Sequence, residues 1–116
     1  SKSILSKFKL ANIKRHQQAD RVKNMVKKSP YPVILCGDFN DVPNSYAYQT
    51  IGSDMQNAFA KKGYGIGNTF SGISPTLRID NIFTDKAFEI KQYSRIKEKL
   101  SDHYPIVTDV IMNKNK

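Results

Sequence analysis

The sequence predicts an α/β or α+β layer structure in which a mixed sheet is covered by a helix, and three observations predict it. Residues 9–28 carry Ala11, Ala19, Val22, Met25 and Val26 at helical spacing. Val33-Ile34-Leu35-Cys36 is a short, continuous apolar run rich in branched residues. Three further strand-like stretches, near residues 78–84, 89–93 and 105–112, occupy the second half. At 116 residues the chain is one domain or less, long enough for a single modest core.

Ser1 to Lys9 offers Ile4, Leu5 and Phe8, too little for a second layer against the helix and sheet. In the helix, Lys14, Lys23, Lys27 and Lys28 fall mostly off the apolar face, and Ser29-Pro30-Tyr31-Pro32 ends it. Val33 to Cys36 suits an interior strand covered on both faces, with Cys36 a small buried thiol. Asp41 to Ser45 has loop and cap character, and Tyr46 to Ile51 makes a short helix. Gly63 to Ser74, with four glycines and no period, reads as an exposed loop. The strands near 89–93 and 105–112 alternate apolar with polar residues.

Nineteen Lys and Arg against ten Asp and Glu give a net charge of +9, which favours encounter with nucleic acids, phosphorylated small molecules or anionic lipid surfaces. Much of the excess lies on exposed helix positions and in the tail Asn113 to Lys116, so solubility accounts for it equally well. The lone Cys36 excludes an internal disulfide. No apolar stretch approaches a membrane span and the start lacks a signal-peptide pattern, so the expectation is a soluble module of unassigned compartment.

Three short segments carry the chemistry: Gly37-Asp38-Phe39-Asn40, Arg78-Ile79-Asp80-Asn81-Ile82-Phe83 and Ser101-Asp102-His103. A carboxylate just after a strand is presented at its C-terminal edge, where open α/β sheets bind ligands. Two apart on extended backbone, Asp38 and Asn40 share a side, which suits orienting a water while an amide holds a phosphate oxygen. The same tetrapeptide also reads as a turn. Asp80 interrupts an apolar strand and needs a partner. His103 is the candidate, because a carboxylate on one ring nitrogen fixes the tautomer and raises the imidazole pKa. Asp102 is a hard oxygen donor suited to Mg²⁺. Ser101-Asp102 also reads as a surface turn, and His16 sits in a basic helix away from these segments.

Taken together and in that order, the three segments resemble the endonuclease/exonuclease/phosphatase superfamily over residues 10–112. The resemblance implies the C-terminal half of a four-layer α/β sandwich, with a divalent metal, Mg²⁺ or Mn²⁺, at the shared edge of two sheets. It implies in-line phosphoester hydrolysis, with catalytic roles for Asp38, Asn40, Asp80 and His103. Asp38 would orient or activate water, Asn40 would hold phosphate, Asp80 would orient His103, and Asp102 would help hold the metal. Arg78 and Asn81 are second-rank, Asn81 standing where the family often has an aromatic residue. Family domains run to about twice this length, and their N-terminal half supplies the principal metal ligands, an Asn and a Glu. No counterpart precedes Gly37. The expected partners are therefore a phosphorylated substrate, nucleic acid among the choices, and the missing N-terminal half. The rival readings are a non-catalytic polyanion-binding module and a fragment that pairs with itself through an uncovered sheet.

Overall fold

The computed structural model describes residues 4–39, 46–65, 67–71, 78–98 and 101–113, with side chains from residue 15 onward. Its elements are α1 (Ile4–Lys28), β1 (Ile34–Asp38), α2 (Tyr46–Gly52), β2 (Gln56–Asn57), α3 (Ala58–Lys62), β3 (Asp80–Thr84), β4 (Phe88–Arg95) and β5 (Ile106–Met112). Helix and strand alternate as the α/β class predicts. In place of one mixed sheet, two antiparallel ladders form: three strands in the order β1-β3-β2, and the pair β4-β5. The reason is direction, since β3 returns between β1 and β2 and runs against both.

β3 is the strand buried on both faces, and the alternation of its side chains divides the core in two. Phe83, 1 % exposed, joins Ala19, Ile51 and Met55, with Val22, Val26, Leu35 and Tyr48 packed around them. That cluster seats α1 and α2 on one face. Its neighbour Ile82 points the other way, to Ala58 and Ile90, where Tyr93, Ile106 and Val110 bring in the β4-β5 ladder. Ala19, Val22 and Val26 thus face the core as the helical period requires, whereas Met25 lies off that stripe and is 72 % exposed.

The expected interior strand is an edge. Among the described residues β1 is hydrogen-bonded only to β3, so of its alternating side chains Leu35 packs inward while Ile34 stays 46 % exposed and Cys36 is exposed as well. The apolar run marks a strand, and it does not report that both faces are covered within this chain. Between α2 and β3 lie β2 and α3, too short to show a period. Asn57 caps α3, its side chain accepting a hydrogen bond from the Ala60 amide.

Candidate active site

The register of β1 on β3 brings the first two carboxylates together. Cα partners run from Ile34 opposite Thr84 to Asp38 opposite Asp80. Both ends of this pairing are tied: Asp85 N donates to Val33 O at 2.9 Å, Val33 N to Asp85 Oδ2 at 3.0 Å, and Phe39 N to Ile79 O at 2.8 Å. A slip of one residue would turn Asp80 to the opposite face. Two like charges directly opposed on neighbouring strands repel. A donor that becomes positive when protonated relieves that repulsion.

His103 supplies it. Its Nδ1 lies 2.7 Å from Asp80 Oδ2 and its Nε2 lies 3.7 Å from Asp38 Oδ2. A carboxylate only accepts, so Nδ1–H donates to Asp80 and fixes the tautomer. The contact to Asp38 is beyond hydrogen-bond length, which leaves Nε2 turned toward Asp38 and toward anything placed beside it. The hydrogen bond to Asp80 is the main cause that lifts the His103 pKa above its ordinary value; partial burial opposes it, and the charges of Asp80, Asp38 and Asp102 add to the rise. Locally, the Ser101 hydroxyl turns the chain into position, accepting from His103 N at 3.0 Å and donating to His103 O at 3.1 Å.

Asp38, Asp80 and His103 line one cavity of about 590 Å³, together with Cys36, Ser101, Tyr104 and Pro105 among others. Period-2 alternation accounts for this, since Cys36 and Asp38 on β1 and Ile82 and Asp80 on β3 share a face. The trio's ligand atoms all lie within 4.8 Å of one another, a group that can hold a metal ion. A hard dication prefers oxygen and water, and here one donor of three is an imidazole whose two nitrogens already face carboxylates. The three residues suit a shared proton, and their carboxylate oxygens, with that of exposed Asp102, are the donors that suit the ion.

Of the residues singled out in sequence, Asp38, Asp80 and His103 are thus brought together. Asn40 lies outside the described residues. Asp102 stands apart from the trio, with its backbone carbonyl accepting from Ser71 N at 2.7 Å and its charge acting on His103. Arg78 and Asn81 belong to another cluster. Arg78 Nη1 donates to Asn57 Oδ1 at 3.4 Å and to Asn81 Oδ1 at 3.3 Å, with its guanidinium 4.2 Å over the Phe59 ring. The Asn81 amide is 3 % exposed, accepts from Asn57 Nδ2 and donates to Ile79 O, so its buried polar groups have partners. His16 stacks on Tyr46, on the α1–α2 side.

Comparison with known proteins identifies the family. A sequence profile described as the Endonuclease/Exonuclease/phosphatase family matches residues 3–103. The chain belongs to that family. Two solved structures of family members are similar: one from Bacteroides vulgatus, 28 % identical with a TM-score of 0.72, and one from Bacteroides thetaiotaomicron, 27 % identical with a TM-score of 0.71. A functionally unknown conserved protein from Enterococcus faecalis, 21 % identical with a TM-score of 0.75, shares the fold. These cover 84–87 % of this chain, which in turn spans only 44–45 % of their lengths. Among curated proteins none matches. No helix among the described residues is long and apolar enough to cross a membrane.

The loop reading of Gly63 to Ser74 needs correction in its described part. Thr69 is wholly buried and Phe70 forms a β-bridge with His103. Gly67, at φ 68°, turns the chain where a Cβ would collide with the Phe59 ring, and so delivers Thr69 to the interior. The available sequence signal was a branched and an aromatic residue side by side, Thr69-Phe70, inside a glycine-rich stretch.

Proposed function

We propose that this chain is the C-terminal half of a Mg²⁺-dependent phosphoric ester hydrolase domain and forms one wall of its active site. The observation that carries the reading is an imidazole held between two carboxylates on the wall of a single cavity, in a chain of this family. Asp80 holds His103 through Nδ1, so that Nε2 is presented to a phosphate oxygen, which it stabilises and protonates. Asp38 orients the attacking water and draws its proton. Asn40, from its place in the motif, holds phosphate. Asp102, with further ligands from the N-terminal half, would hold the ion, which when bound offsets charge on the phosphoryl group.

Val107 and Ile111, exposed apolar residues on one face of β5, are part of the surface to which that half would dock. Its span of less than half the length of similar structures supports this choice over pairing with a second copy. The +9 charge favours a polyanionic substrate, nucleic acid before a neutral-bodied ester. The test is hydrolysis of a chromogenic phosphomonoester and phosphodiester with Mg²⁺. The expected result is little or no turnover by the chain alone and turnover once the N-terminal half is added. Full turnover by the chain alone would remove the half-site reading, and none by the reassembled domain would remove the hydrolase reading.

A further inference from the structure

Asp80 and His103 come from segments that do not pair with each other. β3 is hydrogen-bonded to β1 and β2, and His103 bridges to Phe70. Apart from the Asp80–His103 bond itself, the hydrogen bonds that link the two segments among the described residues pass through Thr69. Its Oγ1 accepts from Ile79 N and from Asp80 N, both at 3.0 Å. Its carbonyl accepts from Tyr104 N at 2.8 Å, and two residues on Ser71 N donates to Asp102 O at 2.7 Å. Residues 69–71 are therefore a short ladder against residues 102–104, with a hydroxyl reaching across to the first residue of β3. The Phe70 ring stands edge-on to the His103 imidazole at 5.3 Å between centroids and backs it from the side.

We propose that Thr69 is a positioning residue of the site, a bracket whose hydroxyl sets the backbone of Asp80 and whose carbonyl sets that of His103-Tyr104, so that carboxylate and imidazole meet at bonding distance. The proposal rests on the reading of those two residues as the acid–base pair. Thr69 is 0 % exposed, and a buried hydroxyl that accepts two amide protons is costly to replace with a group that accepts none. Thr69→Val keeps the volume and orphans both amides. Thr69→Ser keeps the acceptor. Thr84 makes the matched control, being equally buried at the far end of the same strand, with a hydroxyl bonded to Gln56 and Asp85.

The experiment is proton NMR of the His103 Nδ1–H in the ¹⁵N-labelled chain, where a proton held by Asp80 gives a far-downfield, slowly exchanging resonance. Wild type, Thr69→Ser and Thr84→Val should show it, and Thr69→Val should lose it. A resonance unchanged in Thr69→Val, or lost equally in Thr84→Val, would overturn the proposal by showing no role or a merely structural one. Should Thr69→Val not fold, amide exchange in wild type decides: Ile79 and Asp80 amides as protected as the interior of β3 support the bracket, and free-peptide exchange refutes it. Hydrolysis plays no part in this readout. A chain with the expected NMR pattern whose reassembled domain lacks turnover would count against the hydrolase reading and for the bracket.

Discussion

The Asp80–His103 bond should appear in stability as a pH-dependent coupling, measurable with Asp80→Asn, His103→Ala and the double variant. A hydrogen bond to a charged partner contributes about 1.5–3 kcal/mol when shielded. Here the Asp80 side chain is 18 % exposed and that of His103 33 %, so screening by water reduces the figure to about 1 kcal/mol. The sign follows from the direction of the shift. Because folding raises the His103 pKa, its contribution is fully present below the unfolded value, about 6.5, and is lost as pH rises through the folded value. Urea unfolding of the four proteins at pH 6 and at pH 9 gives the coupling energy from the cycle. The expected result is a coupling near 1 kcal/mol at pH 6 that shrinks at pH 9. Equal coupling at both values, or one that grows with pH, would refute the account of the imidazole as a cation between two carboxylates.

Two further predictions concern the fold. Phe83→Ala removes the largest fully buried side chain among the described residues, which anchors α1 and α2 on β3, and should lower urea stability by about 3–5 kcal/mol; a loss under about 1 kcal/mol would show that the cluster around Ala19, Ile51 and Met55 is not the main core. Cys36 lies exposed on the wall of the His103 cavity, so a thiol reagent should modify it in the native chain without denaturant, whereas protection until unfolding would restore the buried-thiol reading.

The three residues that the structure brings together were more legible in the sequence than the sheet around them. Asp38, Asp80 and His103 could be singled out because each is a polar group at the end of an apolar stretch, and such an interruption needs a partner wherever the chain goes. Which partner, and at what distance, depends on strand register, which the sequence states only through ties such as Asp85 to Val33. Cys36 misled for a physical reason: a continuous apolar run marks a strand without saying which faces are covered, and the described residues leave Cys36 on β1 exposed. Thr69 was missed because glycines at 63, 65 and 67 mask a two-residue signal, and because its role lies in a hydroxyl bonded to residues ten and eleven positions away, at no periodic spacing. β2 and α3 escaped through brevity, and the capping role of Asn57 shows only in its hydrogen bond from the Ala60 amide.

The central claim is that His103, set by Asp80, acts on a phosphoester within a domain of which this chain is one part. The most direct measurement is kcat/KM of the reassembled domain, with Mg²⁺, for wild type against His103→Ala. The account predicts a loss of roughly 10²–10⁴-fold, the range of a positioned general acid. Activity within about threefold of wild type, on the scale where a factor of ten is about 1.4 kcal/mol of barrier, would contradict it.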